Sequence, residues 1–598
     1  MKRVGTQRAI SLYPLHRFSL PALSIIGLLF LIFSKSIDRY LLAPAAAETG
    51  SASIYLPTIL HKDQQATRYI PPSQTSGVID YDPLTDSVWV VNPDSGSVSV
   101  IDAISNQLIT EIEVGTEPWS LTIAPSLDAV YVADKAEGSL IQIKASTFEI
   151  VQKLDVGAEP TAVLLHPNLQ TAYVTIQTAD QVAVIDLEKF ELINLIPVGP
   201  WPNHMALSGN QLLVSHLIAQ PTTNGEEARD DGKESIVSAI DLQSNSKVGQ
   251  IILEANVHGF PNLLGSMALR GSRLWVPHTR SAPDIPNDLT NVVFAAVSML
   301  DISEQQENKS AYLPLNDQDI FGSPINNPVA ATVSGNGETL YVVSAGSDLV
   351  EAIDVSDPED PSLIGFLATG TNPRGMTLSP DRKRGYVMNY LSRSVSILDL
   401  ENFVPITDIS VTDEPLSADM LRGKILFNTA KDPKMSNASW VSCASCHPDG
   451  GFDGVTWMFP DGPRQTPPVW NASNTLPWHW SAALDEMQDV EDTIQTIQHG
   501  IGLAAGGESA PLNVQLTGQS ADLDALALFM AAGIRTPNVP TLSESGGGVD
   551  NGRNLFTQMG CATCHGGPTW TSSSLSGIGF PADPDQNGMI DSLLHDVG

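Results

Sequence analysis

The sequence predicts a multidomain protein in which an all-β, seven-bladed propeller precedes a mostly α-helical region. Between residues 70 and 411, short apolar segments recur with a period of about forty residues, which is typical of propeller blades. After Val411 the apolar residues change from alternate positions to a helical spacing. All four cysteines lie in this last part of the chain, in two copies of one five-residue motif.

The N-terminus, residues 1–48, is predicted to be a signal peptide or a membrane anchor. Basic residues precede an uncharged run at 18–34, as in export signals. The small residues at 45–47 resemble a cleavage site but lie unusually far beyond that run, so a cleaved signal and an uncleaved transmembrane helix both remain open. In either case we expect export to the periplasm or cell surface, with residues 49–69 as a linker.

Seven four-residue segments, which we call tetrads, mark the predicted blades of residues 70–411. Each begins with apolar residues, and its fourth residue is usually small or polar. A Gly-x-x-Pro turn precedes several of them, as at Gly115 and Gly157. The tetrads resemble the YVTN family of propeller repeats, which implies one blade for each. They are Trp89–Asn92, Tyr131–Asp134, Tyr173–Ile176, Leu213–His216, Trp275–His278, Tyr341–Ser344 and Tyr386–Asn389.

Two histidines, His216 and His278, end the tetrads that precede long predicted surface insertions at 221–233 and 281–291. One interpretation is that each hydrogen-bonds its own turn. The other is a polar site at this edge, either for a copper or zinc ion or for docking the C-terminal region.

The two cysteine motifs are predicted to attach haem covalently. In Cys-x-x-Cys-His, the two thiols can form thioethers with a haem and the adjacent histidine can ligate its iron. A shared zinc site would need the two motifs much closer together, and a thioredoxin-like pair would need a βαβ setting. The predicted cofactor ligands are Cys443, Cys446, His447, Cys561, Cys564 and His565, with His447 and His565 on the two irons.

Two tandem cytochrome c modules are predicted, at 412–540 and 541–598. The segment Leu416–Asn428 has a helical apolar pattern with Ser417 as a plausible N-cap, and Asn551–Phe556 repeats its theme before the second motif. Both segments resemble the first helix of cytochrome c modules, which implies that a glycine and an aromatic residue pack against a second helix beside the haem.

The stretch Gly462–Asn471, followed by His479 and Trp480, resembles the segment between the haems in bacterial dihaem cytochrome c peroxidases and MauG enzymes. The resemblance implies that Trp480 relays electrons between two haems. The alternative is that Trp480 and the nearby tryptophans are ordinary core residues.

The chain departs from that family in two places. Ser481–Ala483 replaces an Asp-Gly-Arg sequence, and no histidine lies between His447 and Gly462, where many of these peroxidases carry a distal ligand. An open sixth position would suit peroxide, whereas a filled one would favour plain electron transfer. The candidates to fill it are Met458, His479, Met487 and His499.

Peroxide cleavage also needs an acid/base group on the open face, and Glu486 is the candidate. Gln488 and Glu491 lie in the same stretch, which could equally be a solvated helix face.

The last residues resemble the first half of an EF-hand loop, which predicts a possible calcium site at Asp583, Asp585, Asn587 and Asp591. Leu594 replaces the bidentate glutamate, so an Asx-rich turn is the alternative. The resemblance to the peroxidases also implies that the second module is incomplete at Gly598.

The net charge of −36 argues against nucleic acid and favours a basic redox partner or a neutral small substrate. We therefore expect an extracytoplasmic dihaem c-type cytochrome with electron-transfer activity, peroxidase- or MauG-like, that reduces peroxide or oxidises a partner. The alternatives are a cytochrome without peroxidase turnover, and a surface docking or adhesion protein based on the propeller.

Overall fold

Seven antiparallel β-sheets follow one another along the chain, as the repeats predict. The computed structural model describes residues 73–223, 225–284, 292–316, 324–459, 462–476, 478–479, 484–504, 514–539, 548–563 and 565. The predicted signal or anchor, the linker, Trp480, Cys564 and the four calcium candidates lie outside these residues.

Each sheet is one blade, and its strands pair in chain order except for short additions in the fourth and fifth blades. The bounds by blade are β1 Ile79–Asp82, β2 Ser87–Asn92, β3 Ser97–Asp102, β4 Gln107–Glu113; β5 Pro118–Ala124, β6 Ala129–Asp134, β7 Ser139–Lys144, β8 Glu149–Asp155; β9 Pro160–Leu165, β10 Thr171–Ile176, β11 Gln181–Asp186, β12 Glu191–Pro197; β13 Pro202–Ser208, β14 Gln211–His216, β15 Gln220–Pro221, β16 Lys233–Asp241, β17 Ser246–Leu253; β18 Phe260–Asn262, β19 Ala268–Arg270, β20 Arg273–Ser281, β21 Val293–Asp301, β22 Gln306–Glu307, β23 Leu313–Pro314; β24 Pro328–Val333, β25 Thr339–Ser344, β26 Leu349–Asp354, β27 Ser362–Ala368; β28 Pro373–Leu378, β29 Arg384–Asn389, β30 Ser394–Asp399, β31 Val404–Ser410.

Every tetrad lies in a buried strand near the middle of its blade. Strand β2, for example, is buried at all six positions, whereas the outermost strand β4 is mostly exposed. The proline of the Gly-x-x-Pro turn is the first residue of the innermost strand, as at Pro118 and Pro160. Proline suits this place because it presets the turn and needs no hydrogen bond there.

The polar residue that ends most tetrads bonds across to the neighbouring strand. His216 Nε2 lies 2.9 Å from Ser238 Oγ, and His278 Nε2 lies 3.0 Å from Ser298 Oγ. Asn92 makes the equivalent bond to Ser99 at 2.8 Å. In each case the partner is a serine of the next strand, two positions beyond the residue that pairs directly with the end of the tetrad. The shared pattern agrees with the rule that a buried polar group needs a hydrogen-bond partner.

The metal-site hypothesis for His216 and His278 is therefore wrong. Their Nδ1 atoms are also occupied, by the carbonyls of Pro200 at 2.9 Å and Thr279 at 3.3 Å. Burial lowers the pKa of His216 to about 4, so its ring is neutral and structural at ordinary pH. Within the residues described, no group of histidine, cysteine, aspartate or glutamate is arranged to hold a metal ion.

The ring closes by packing the first blade against the seventh without exchanging a strand. Ile79, Val88 and Val90 share an apolar cluster with Tyr386 and Met388. Ser99 Oγ also donates to the carbonyl of Val411 at 2.6 Å. The closure thus depends on apolar burial with a few hydrogen bonds between the ends of the repeat array.

Residues 74–78 run across the propeller axis before β1 begins. The Ser76 N–H donates to the carbonyl of Met205 in the fourth blade at 2.9 Å, and the Leu121 N–H of the second blade donates to Gly77 at 3.0 Å. Ser266, beside the innermost strand of the fifth blade, donates to the carbonyl of Ser76 at 2.9 Å. This segment, which we call the axial plug, ties three blades together.

The helical region follows directly, as the change of period predicts. Its described elements are α1 Ala418–Asn428, α2 Cys443–Cys446, β32 Thr456–Phe459, β33 Gly462–Gln465, α3 Val490–Thr496, α4 Ala521–Ala532 and α5 Gly548–Gln558. In the part of the chain that the structure describes, no helix is both long and apolar enough to cross a membrane.

Helix α1 packs against α4 as the cytochrome resemblance implies. A Cβ at Gly423 would lie 2.0 Å from the carbonyl oxygen of Ala525, so only glycine allows this approach. Phe427 packs edge-on against Phe529, with ring centroids 5.3 Å apart. The predicted N-cap is also confirmed, because Ser417 accepts a hydrogen bond from the Met420 N–H.

The apolar pattern of α1 places Met420, Leu421, Ile425 and Phe427 near one face, but the buried face of the helix differs from this prediction. Lys424 is buried because its Nζ bonds Asp94 of the first blade at 2.7 Å and Tyr390 Oη at 2.6 Å. Leu421 and Ile425 are only half-buried. A charged residue on the buried face is not visible from apolar spacing, because its partner comes from the propeller.

Glu351 is fully buried in the sixth blade, and we expect its burial to make the stability of the propeller depend on pH. Burial raises its pKa to about 8, and Ser344 Oγ donates a hydrogen bond to its Oε2 at 3.1 Å. Because the folded state holds this proton up to about pH 8 and the unfolded chain releases it near 4.5, stability falls as pH rises through that window. Each unit of pKa corresponds to about 1.4 kcal/mol.

We therefore expect Glu351→Gln to stabilise the propeller at pH 8 and to flatten this decline. Denaturant unfolding at pH 5 and pH 8 measures the effect. The exposed Glu359→Gln is the matched control and is expected to change neither value; a decline of equal size in Glu351→Gln and wild type would contradict the assignment.

Candidate haem site

The first cysteine motif forms the short helix α2, held at its start by a serine pair. Ser442 and Ser445 form a reciprocal capping box around the first turn. The N–H of His447 donates to the carbonyl of Cys443 at 2.8 Å. This turn therefore fixes the two thiols and the imidazole in one rigid unit.

The imidazole of His447 is arranged as a metal ligand. Its Nδ1 lies 3.1 Å from the carbonyl oxygen of Gly451. Since a carbonyl only accepts, Nδ1 carries the proton and Nε2 keeps its lone pair for an iron. Burial lowers the pKa of His447 to about 4, which keeps the ring neutral and able to ligate.

The two thiols of the motif have different surroundings. Gln498 Nε2 donates to Cys443 Sγ at 3.4 Å, and burial raises the pKa of Cys443 to about 11. Cys446 lies beside Asp453, and burial with this carboxylate nearby raises its pKa well above the usual range. Burial also raises the pKa of Asp453 to about 7.

Two buried polar atoms near the thiols are without a hydrogen-bond partner. They are Nε1 of Trp440, which packs with Cys446, and Oε1 of Gln498. Buried polar groups in native proteins are normally satisfied. Together with the paired thiols and the buried imidazole of His447, these atoms fit a bound haem, whose carboxylates could accept from Trp440.

The propeller holds both flanks of the motif. Asn326, which is 1% exposed, donates to the carbonyl of Trp440 at 3.1 Å and to Ser445 Oγ at 2.9 Å. Arg374 Nη2 donates to Asp449 Oδ1 at 3.1 Å. Sequence reasoning missed these partners, because each is distant in the chain and belongs to a blade without unusual composition.

The two predicted insertions contact the helical region that follows Val411, which we call the haem unit after its candidate cofactor. In the second insertion, the carbonyl of Pro283 accepts from the Met458 N–H at 3.3 Å. Arg229 in the first pairs with Asp284 in the second at 2.9 Å. Glu227 accepts a hydrogen bond from Thr456 Oγ1 at 2.9 Å, and Lys233 Nζ donates to the carbonyl of Gly454 at 2.6 Å. The insertions therefore contact the C-terminal region, but His216 and His278 take no part, because their rings bond only propeller groups in the contacts described.

The second motif repeats the local geometry of the first. The N–H of His565 donates to the carbonyl of Cys561 at 2.9 Å. Phe556 of α5 lies with its ring centroid 6.4 Å from that of His565, and Phe427 lies 6.5 Å from His447. A helix that carries glycine and phenylalanine thus precedes each motif in the same relation to its histidine.

The candidates for a sixth ligand are dispersed. Met487 is buried in the same apolar cluster as Cys443. His479 lies near enough to His447 for its charge to lower the pKa of His447 further. Met458 and His499 are exposed.

The acidic residues of this stretch are more buried and make more hydrogen bonds than a solvated helix face would allow. Glu491 is fully buried and accepts from the N–H groups of Leu503 and Ala504 at 2.9 and 3.1 Å, so that alternative is wrong for this residue. Glu486 is partly buried, and its Oε2 accepts from Thr517 Oγ1 at 2.5 Å. Its predicted role in acid/base chemistry stays a prediction.

The tryptophans near the motif have separate environments. Trp478 Nε1 donates to the carbonyl of Ala472 at 2.7 Å and its ring joins the core beside Cys443. Trp470 instead stacks on Trp201 of the propeller, with centroids 6.3 Å apart and planes inclined by 13°.

Fold and site together define a seven-bladed propeller joined to a helical unit that carries two Cys-x-x-Cys-His motifs. Two curated proteins are similar to this chain. The chain is 28% identical over 191 residues to the methylamine utilization protein MauG of Methylorubrum extorquens, covering 27% of this chain and 53% of MauG. It is 28% identical over 196 residues to the cytochrome c551 peroxidase of Nitrosomonas europaea, covering 28% of this chain and 57% of that protein.

The predicted resemblance to the peroxidase and MauG proteins is therefore confirmed. The chain spans little more than half the length of these two curated relatives. Among solved structures, hydrazine synthase of Kuenenia stuttgartiensis is similar, with a TM-score of 0.45, 21% identity, and coverage of 54% of this chain and 94% of that one. No protein-family model matches the chain.

Proposed function

We propose that the protein is an exported dihaem c-type cytochrome whose haem unit transfers electrons and reduces peroxide or oxidises a partner. The observation that carries this proposal is the repeated relation of phenylalanine to motif histidine, at 6.5 Å in the first copy and 6.4 Å in the second. A structural feature that recurs at both Cys-x-x-Cys-His motifs supports a shared cofactor chemistry. The organisation proposed is a propeller at 70–411 and haem modules at 412–540 and 541–598.

Bound haem would supply an iron that exchanges single electrons and can bind peroxide. Cys443 and Cys446 would hold the first haem, and His447 would ligate its iron through Nε2. The Gly451 carbonyl orients this ring by accepting from Nδ1 at 3.1 Å. Cys561, Cys564 and His565 would have the same roles in the second module.

Proton transfer is assigned to Glu486. Its Oε2 lies 2.5 Å from Thr517 Oγ1, a hydroxyl that can pass a proton to or from the carboxylate. Glu491 is a poorer candidate because it is fully buried, whereas Glu486 is partly exposed; backbone N–H groups bond both oxygens of each carboxylate. It instead positions the Leu503–Ala504 segment above the core.

One observation favours the alternative of electron transfer without peroxidase turnover. Met487 is buried in the apolar cluster that contains Cys443, and a methionine thioether is a common sixth ligand in cytochromes c. Optical and EPR spectra of the exported protein, oxidised, reduced and after addition of peroxide, distinguish the two. High-spin iron that reacts with peroxide supports the enzyme; two low-spin irons that do not react would leave only electron transfer.

Trp480 is proposed to relay electrons between the haems. Trp480→Phe keeps most of the apolar area but removes the easily oxidised indole, so we expect slower exchange between the haems with both retained. Stopped-flow reduction measures the rate. Trp478→Phe is the matched control because the Trp478 indole is committed to Ala472; equal rates in all three proteins would make Trp480 a core residue only.

A further inference from the structure

A cavity of about 260 Å3 lies between the propeller face and the haem unit. The residues that line it include neither motif cysteine nor His447, so it is separate from the haem attachment site. Gly451 does line it, and its carbonyl accepts from His447 Nδ1 at 3.1 Å. One wall of the cavity is thus a single hydrogen bond away from the proposed iron ligand.

Aromatic rings from both parts of the protein line this cavity. Trp201 of the propeller stacks nearly parallel on Trp470, and its ring meets Phe452 edge-on with centroids 5.1 Å apart. Trp119 and Tyr390 form a second edge-on pair at 6.4 Å. Flat aromatic walls of this kind favour a planar ligand.

The charged side chains of the cavity are paired with one another. Arg535 Nη1 and Nη2 bind the two oxygens of Glu159 at 2.7 and 2.8 Å, and Arg535 Nε binds Glu117 at 2.9 Å. Arg374 pairs with Asp449 at 3.1 Å. Such bidentate and partly buried pairs leave no free cation to hold an anionic ligand.

The protein's own cations already occupy two of the rings. Lys135 Nζ lies 4.0 Å from the ring centroid of Trp119, and the Arg374 guanidinium lies 5.4 Å from that of Tyr390. A cationic ligand would have to compete with them for these faces. Taken with the paired carboxylates, this arrangement selects a neutral ligand.

We propose that this cavity binds a small neutral aromatic reductant of the hydroquinone class, which donates electrons to the first haem. The exposed Thr116 and the partly exposed Trp201 line the cavity, so its wall reaches solvent. The hydroquinone loses two electrons and two protons to become the quinone, each of two ferric haems accepts one electron, and the protons pass to water. The donor role rests on the proposed function, whereas the binding does not.

Calorimetric titration of the complete exported protein with hydroquinone tests the binding. The haems are first reduced with dithionite, so that no electron transfer accompanies binding. We expect saturable binding of one hydroquinone per chain, and we expect Trp201→Leu to weaken it at least tenfold. Phe366→Leu, which changes an exposed aromatic residue on the sixth blade, is the matched control and should bind as wild type does.

Three results would overturn the proposal: absence of saturable binding, equal affinity of Trp201→Leu and wild type with both folded by circular dichroism, or tighter binding of benzoate or benzyltrimethylammonium than of hydroquinone. The donor role is tested by mixing oxidised protein with hydroquinone. The rate of haem reduction should saturate as the hydroquinone concentration rises. At concentrations below saturation, the rate in Trp201→Leu should be at least tenfold lower than in wild type. If the protein binds hydroquinone but does not reduce peroxide, the proposed enzymatic function is wrong and the proposed binding site stands.

Discussion

Replacing Cys443 by serine is expected to remove one of the two haems that we propose are covalently bound, and to loosen the core of the first module. The thiol lies in the apolar cluster of that module, and a haem attached there would contribute to the packing of its neighbours. Haem stain and iron content of the denatured protein should fall from two equivalents to one. The propeller should remain folded because its blades have clusters of their own.

Cys561→Ser is the matched variant for the second motif. It should also lose one haem equivalent but leave the first module intact, since Cys561 lies outside the described apolar clusters and is partly exposed. Unchanged haem in either variant would refute covalent attachment at that motif. Loss of both haems from Cys443→Ser alone would show that maturation of the second module depends on the first.

Gly423→Ala is expected to cost about 1–3 kcal/mol in the stability of the first module, because the added methyl group overlaps a neighbouring helix. The nearest atoms to an added Cβ are the carbonyl oxygen and carbon of Ala525 at 2.0 and 2.6 Å and Phe529 Cβ at 2.8 Å, none of which can rotate away. Denaturant unfolding followed at the haem absorption band measures the loss.

The equivalent glycine of the second module provides the control. No atom of the described residues lies within 4 Å of a Cβ built on Gly552 in α5. Gly552→Ala should therefore stabilise this helix by about 0.5–1 kcal/mol through its better helix propensity. Equal destabilisation by the two substitutions would mean that the close approach of α1 and α4 is not what requires Gly423.

The parts of the fold that sequence reasoning predicts well are those with a local cause. All seven tetrads lie in strands, because alternation of apolar residues and the following turn are determined within a few residues. The cap of α1 at Ser417 is local in the same way. The packing of Gly423 on α4 followed from resemblance and not from pattern.

The parts that could not be predicted have partners far away in the chain. The burial of Glu491 depends on N–H groups of Leu503 and Ala504, which a charge pattern does not reveal. Similarly, Lys424 is buried because Asp94 of the first blade meets it. Stacking of Trp201 on Trp470 likewise arises only when the propeller and the haem unit come together.

The axial plug determines the route by which molecules enter and leave the centre of the propeller. A small axial space of about 110 Å3 is lined by Val78, the last residue of the plug, and by Asp449 of the haem unit. Residues 74–78 bond three blades here and Val78 lines the space, so the plug bounds the space on one side. A solute that enters this space between the blades and the haem unit therefore meets the plug on that side.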